Sequence, residues 1–477
     1  MTLAAALFGP PHARRRDGRA SRAGTLAPLL FATFVAGSSS AYPLDGAETT
    51  AIPRLEAYQQ VLKGSVRGPH IVPGAQYPGA RIELALASRP DFQIPAPDPE
   101  LSRRLASLAG GDASVYGIAL LDLTDPQHPV YAEHNPGMKL NPGSVGKLVV
   151  LLGWFQTLAD VYPDDPGARR RVLRETMMTA DSWMGEDEHT VPVWSPGDKA
   201  VTNRQIRHGD TWNVYTYLDH MISKSSNAAA ALLQRELLLL DHFGREYPAD
   251  PAREQEYLSK TPRPDLVKSL FHVTQDPIPR SGLDLETLRQ GGFFSRTGKA
   301  RVPGTSSYAT ARSLMEYLVQ MEKGRLVDPF SSLEMKRILY STDRRIRYAS
   351  APALADSAVF FKSGSLFDCG GGDCPKPLEY KGTLKNYMNS VIVVETPDRA
   401  VPLRYTVTLL SNVLGRNSAV VHQTMGTRIH RLMEERHPAG AAPLVRPEAP
   451  VKEDVKAAEG RDSGDDAKSG AYEPPER

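Results

Sequence analysis

Residues 141–158 read NPGSVGKLVVLLGWFQTL, from Asn141 to Leu158, and the fold is decided by how this stretch is read. Asn141-Pro142-Gly143 is a helix-starting segment, and the run after it is apolar almost all round, the pattern of a helix buried on every side. Ser144 and Lys147 stand at its start, three residues apart, hence on one face and within contact range. The first turn of a helix favours negative charge, on an attacking oxygen as on an oxyanion. An ammonium set in an apolar run is desolvated, its pKa falls, and a neutral lysine can accept a serine proton. Taken alone, the same residues also describe an ordinary helix start with a lysine that reaches out to water.

Two further motifs come after it in order. Ser225-Ser226-Asn227 lies between the apolar stretch Thr211–Ser223 and the helical run Ala228–Leu233. A polar triplet between two helices can present a hydroxyl and an amide to a cleft. It can equally cap the next helix through Ser226 or Asn227, and the two uses are compatible. Lys362-Ser363-Gly364 ends the β-type run Ser357–Phe361 and is followed by Ser365. Lys362 and Ser363 suit a substrate carboxylate, Gly364 permits close approach to the backbone, and the Lys362 charge would help keep Lys147 neutral. The bland alternative is a strand end turning into a Gly-rich loop. Ser144/Lys147 is the only S-x-x-K pair and Ser225/Asn227 the only S-x-N; K-S-G recurs at Lys468-Ser469-Gly470, in a segment with no strand to hold it.

S-x-x-K, S-x-N and K-S-G in this order resemble the penicillin-recognising serine hydrolases, and more closely the class A β-lactamases. The resemblance runs from about Asp98 to Glu435. It implies that Ser144 is the acylated nucleophile and Lys147 a general base. Ser225 would relay a proton to the leaving nitrogen, and Asn227 would bind a substrate amide. Lys362, Ser363 and Gly364 would form the substrate-binding strand, with an oxyanion hole from the Ser144 and Ser365 amides. One element departs from the pattern. Class A enzymes carry Glu-x-x-Leu-Asn to activate the deacylating water, whereas Leu285–Gly304 (LETLRQGGFFSRTGKARVPG) offers only Glu286, outside that motif. The missing glutamate leans toward a D-alanyl-D-alanine peptidase, an esterase or a β-lactamase of slow deacylation; the rival from another class is a non-catalytic penicillin or cell-wall sensor.

Around this centre the expected fold is α+β, an antiparallel sheet built from both chain ends with an inserted all-helical subdomain. Residues 98–109 carry an Asp helix start and a Gly-Gly stop; Ser114–Leu123 and Val130–Glu133 pair as strands. Ser357–Leu366, Met388–Glu395 and Leu403–Leu410 close the sheet, and a helix runs from about Ser418 to Glu435. This gives a domain at 98–435, behind an extended lead-in at 42–97 with one short helix near Leu55–Leu62. The tail, 436–477, lacks the apolar content to fold. Leu158–Trp212 is long for this architecture, and its Glu186-Asp187-Glu188-His189 reads as a solvated loop, not a metal site.

The N-terminus has arginines at 14, 15, 16, 19 and 22, an apolar core Thr25–Gly37, and Ser39-Ser40-Ala41 before Tyr42. That is the order of a secretory signal peptide, 1–41, and places the chain in the periplasm or outside the cell. In that setting the two cysteines, Cys369 and Cys374, are expected to form a local disulfide; a half-complete metal site and two free thiols are the alternatives. With 477 residues, 41% hydrophobic and a net charge of +2, nothing points to nucleic acid or to a polybasic membrane surface. No run in the body reads as a membrane span. A small-molecule β-lactam or peptidoglycan peptide, no cofactor, no metal and a monomeric state complete the expectation.

Overall fold

The structure is a computed structural model and describes residues 43–340, 342–371 and 374–438. The signal peptide at 1–41, the second K-S-G and the tail beyond residue 438 lie outside the described residues.

Five antiparallel strands make one sheet: β1 (Tyr116–Asp122), β2 (Val130–His134), β3 (Ala358–Asp368), β4 (Lys385–Glu395) and β5 (Arg404–Asn412), in the order β2-β1-β5-β4-β3. Strands from both chain ends thus share the sheet, as expected. Successive side chains along a strand point to opposite faces, and here both faces are covered. Ala119, Leu121, Ala358, Phe360, Val391 and Val393 join the core of the helical region. Ile118, Leu120, Val359, Phe361, Ile392 and Val394 pack on the other side. There they meet Leu101 and Leu105 of helix α2 (Pro99–Ser107) and Met425, Ile429 and Met433 of the C-terminal helix (Ser418–Arg436). Two buried faces explain why these strands read as continuous apolar runs. Asp98 caps α2, accepting from the Leu101 N–H at 2.8 Å.

Helix α3 (Lys147–Val161) follows a single 3-10 turn, Gly143–Gly146, and every residue from Lys147 to Leu158 is buried. Each large apolar side chain so enclosed contributes about 1.5–3 kcal/mol. By length and composition Gly143–Val161 could cross a membrane, contrary to the sequence reading, but 78% of it is buried inside the protein. It is a core helix. Helices α4 (Val214–Ile222) and α5 (Asn227–Phe243) pack against it. The short turn joining α4 to α5 carries the S-x-N triplet.

The segment read as an extended lead-in does contain a short helix, α1 (Pro53–Leu62), but it does not stand apart from the body. Leu55, Tyr58, Ile71, Ile82, Leu86 and Phe92 are buried in the main core. The Ala85 N–H donates to Glu322 Oε2 (2.7 Å), and Lys336 Nζ to the Glu83 carbonyl (2.7 Å), within a buried group of Lys336, Glu322 and Glu395. Gly, Pro and Ala richness hid this, because apolar residues spaced irregularly along a loop leave no period to read.

Candidate active site

Ser144 reaches the site from the 3-10 turn ahead of α3, partly exposed, while Lys147 one turn on is fully buried. Lys147 Nζ lies 2.9 Å from Ser144 Oγ, 2.7 Å from the Ser225 carbonyl and 2.7 Å from Asn227 Oδ1. Burial pushes its pKa down to about 7, the Arg347 guanidinium adding to the depression and Asp187 opposing it. The expected helper, Lys362, is itself pushed well below its ordinary range, by burial first and then by Lys147 and Arg347. Two cationic neighbours thus face Lys147: Arg347, and Lys362, whose repulsion with it is mutual.

Ser225 has a left-handed backbone, φ 62°, uncommon for a residue with a Cβ. This turns its hydroxyl toward Lys362, whose Nζ donates to Ser225 Oγ (2.9 Å) and to the Ser363 carbonyl (2.9 Å). Ser226 caps α5, accepting from the Ala229 N–H at 3.1 Å, so capping and site geometry coexist in one triplet.

Strand β3 lies at the sheet edge, with Lys362, Ser363, Gly364 and Ser365 in register with Val391, Ser390, Asn389 and Met388. A Cβ at Gly364 would fall 2.2 Å from the Pro142 carbonyl and 2.6 Å from the Ser144 nitrogen. Only glycine lets the strand lie this close to the serine turn. Beside β3, Arg347 donates to Ser363 Oγ (2.8 Å) and Ser365 Oγ (3.0 Å). The three motifs, separate along the chain, thus meet around Lys147 and Lys362.

Asp187 corrects the reading of Glu186–His189 as a solvated loop. Its side chain is only 4% exposed, and it accepts from Ser226 Oγ (2.7 Å) and the Ala228 N–H (3.0 Å) at the start of α5. Burial alone would raise its pKa, but the His189 contact at 2.6 Å and these donors hold it down to about 2. Glu186 and Glu188 are exposed. Nothing local distinguished Asp187 in an acidic run, or Arg347 in the basic run Arg344-Arg345-Ile346-Arg347; only tertiary contact separates them from solvated charge. Among the described residues no group of three or more His, Cys, Asp or Glu could hold a metal.

The segment 285–304 approaches the start of α3 with an aromatic ring and an amide. The Phe294 ring centroid lies 4.7 Å from Lys147 Nζ, and the Gln290 amide oxygen occupies the space of a Cβ at Gly146. Glu286 is exposed, its carbonyl accepting from Lys139 Nζ at 2.7 Å. Cys369 and Cys374 are joined in a disulfide just beyond β3. Glu379 and Tyr380 of the same β3–β4 connection help line a cleft of about 410 Å³ with Lys224, Arg344 and His189.

A family model described as the beta-lactamase enzyme family matches residues 100–371. The chain belongs to the beta-lactamase enzyme family. Among solved structures it is similar to PBP-A, at 12% identity over 72% of this chain and 100% of that one, TM-score 0.44. It is similar to the β-lactamase from Sphaerobacter thermophilus at 15% identity, covering 71% and 98%, TM-score 0.45. A representative class A β-lactamase from Bacteroides cellulosilyticus matches at 16%, covering 72% and 99%, TM-score 0.41. No curated protein matches this member of the beta-lactamase family.

Proposed function

We propose that this chain is an exported acyl-serine hydrolase that opens β-lactams, with Ser144 as nucleophile and Lys147 as its base. The observation that carries the reading is the set of contacts around Lys147 Nζ. A neutral amine has two N–H bonds and one lone pair. Directing the N–H bonds to the Ser225 carbonyl and Asn227 Oδ1 leaves the lone pair for the Ser144 hydroxyl 2.9 Å away. With a pKa near 7 the neutral form is well populated at neutral pH. Ser144 attacks the carbonyl, its proton passes to Lys147, and the oxyanion forms against the Ser144 and Ser365 amides. Ser225, held by Lys362, delivers a proton to the leaving nitrogen. Asn227 binds the substrate amide, and Ser363 with Lys362 and Arg347 takes the carboxylate.

Deacylation is expected to be slow, because the 285–304 segment brings Phe294 to Lys147 and Gln290 to Gly146, and its one carboxylate, Glu286, is exposed. This observation also favours a second reading: a D-alanyl-D-alanine peptidase or esterase, or a sensor that stays acylated. The disulfide supports export to the periplasm or beyond, in keeping with the leader sequence. The substrate on either reading is a small β-lactam or peptidoglycan peptide, met by a monomer without cofactor. Mass spectrometry of the purified protein after penicillin exposure, followed over time, tests the proposal. One penicilloyl adduct is expected on Ser144; an adduct still forming on Ser144→Ala protein would overturn the assignment.

A further inference from the structure

Resting on the reading of Ser225 as a proton relay, we propose that the N-terminal segment 43–97 is part of the acylation machinery, with Arg54 and Tyr58 as positioning residues that hold the Ser225 turn. This segment precedes the stretch that the family model matches, 100–371. Its helix α1 lies behind the site, where two of its side chains reach the residues that flank the turn.

The turn needs support. Ser225 sits in a left-handed conformation that a side chain disfavours, and such backbone persists where its surroundings over-determine it. On its front are the contacts with Lys147 and Lys362 described above. Behind it, Ser223 Oγ donates to Asp219 Oδ1 (2.6 Å), and Lys224 Nζ pairs with Asp343 Oδ2 (2.7 Å). Both carboxylates are in turn held by α1. Arg54 donates from Nε and Nη2 to the two oxygens of Asp219, each at 2.6 Å, and Tyr58 donates its hydroxyl proton to Asp343 Oδ1. Arg54 Nη1 also donates to Thr342 Oγ1 (2.8 Å), tying the end of α4 to the connection that carries Asp343.

The arrangement is dry and balanced. Arg54 and Asp219 are 4% and 6% exposed, Lys224 and Asp343 11% and 2%, so two cations face two anions with little water to substitute for a lost partner. A buried carboxylate deprived of one donor is left unsatisfied at a cost, which favours rearrangement around it. For Asp343 what remains is the ion pair with Lys224, the residue before Ser225. Loosening α1 therefore shifts the relay hydroxyl relative to Lys362 while leaving Ser144 and Lys147, carried on the 3-10 turn and on α3, in place.

The experiment compares four full-length proteins: wild type, Tyr58→Phe, Arg54→Lys and Ile82→Ala. Ile82 is a buried apolar residue of the same segment, with no part in these contacts. Each is characterised by thermal melting, and by the limiting rate and half-saturating concentration for acylation by a fluorescent penicillin. Tyr58→Phe is expected to lower the limiting rate about tenfold, within the range that a small misplacement of a reacting group costs. Its half-saturating concentration should change little, and its melting temperature should fall no further than that of Ile82→Ala, so that lost folding does not account for the lost rate. Arg54→Lys keeps the charge but not the paired contact and should act in the same direction. Ile82→Ala should melt earlier yet keep the wild-type limiting rate per folded molecule. The proposal is overturned if wild type acylates and Tyr58→Phe matches its limiting rate. It is also overturned if the rates of all three variants merely follow their folded fractions. Wild-type protein that takes no penicillin overturns the reading of the site itself, and the positioning role with it.

Discussion

Among the described residues the Lys147 amine is met by a serine hydroxyl, a main-chain carbonyl and a side-chain amide, with no carboxylate bonded to it. Burial lowers its pKa to about 7, so protonation competes with catalysis near neutrality. The sign is set by the proposed role: as a base, only the deprotonated amine would accept the Ser144 proton. Acylation should therefore rise with pH up to about 7 and level off above it, as stopped-flow rates across that range would show. Lys147→Arg keeps the charge but cannot deprotonate. It should slow acylation by about a hundredfold or more, the low end of general-base contributions, and a near-normal rate would remove the role. At this scale the residue type and three-residue spacing of Ser144 and Lys147 were legible. Asp187 and Arg347 were not, because a charge in a charged run looks the same whether it ends in solvent or against the site.

Two elements bear on the fate of the proposed acyl-enzyme and on substrate fit. The 285–304 segment has one carboxylate, Glu286, and the structure leaves it exposed while Phe294 faces Lys147. Loss of general-base help typically costs ~10²–10⁴-fold, so a penicillin adduct should accumulate, giving a burst and then weak steady turnover. Glu286→Gln should leave that turnover unchanged within about twofold, a surface substitution having little effect on a distant step; rapid hydrolysis lost in this variant would restore Glu286 as the base. The β3–β4 connection is the second element. Closing so short a loop at Cys369–Cys374 stabilises by about 2 kcal/mol in the chain-entropy model. The same connection places Tyr380 against Arg347, 5.1 Å from ring centroid to guanidinium, and lines the adjoining cleft. The Cys369→Ser/Cys374→Ser protein should show its larger change in half-saturating substrate concentration, with a modest fall in melting temperature; the reverse pattern would make the disulfide a stability device. Strand and helix positions were readable because both sheet faces and all sides of α3 are buried, which writes long apolar runs. The loops carry no such periodic record.

Across the whole molecule the 43–97 segment is bound into the body. It supplies Leu55, Tyr58, Ile82 and Leu86 to the main core, Arg54 to Asp219, and backbone partners to Glu322 and Lys336. A chain starting at Asp98 would leave those carboxylates and Lys336 with unmet buried polar groups, and breaking one such buried pair costs about 3–5 kcal/mol. That approaches a whole domain's margin of about 5–15 kcal/mol, so the truncated protein is expected to be insoluble or to melt without a cooperative transition, as circular dichroism would register. By itself the sequence determined the α+β class, the sheet drawn from both chain ends, and the three motifs, since alternation, all-round apolarity and fixed short spacings are local properties. Tertiary structure alone decided that the Asp187 side chain is buried, that Arg347 joins Lys362 as a cation near Lys147, that Phe294 meets Lys147, and that the N-terminal segment reaches the residues flanking the Ser225 turn. Each of these depends on contacts between residues far apart in the chain, and a contact of that kind leaves no periodic trace in either partner.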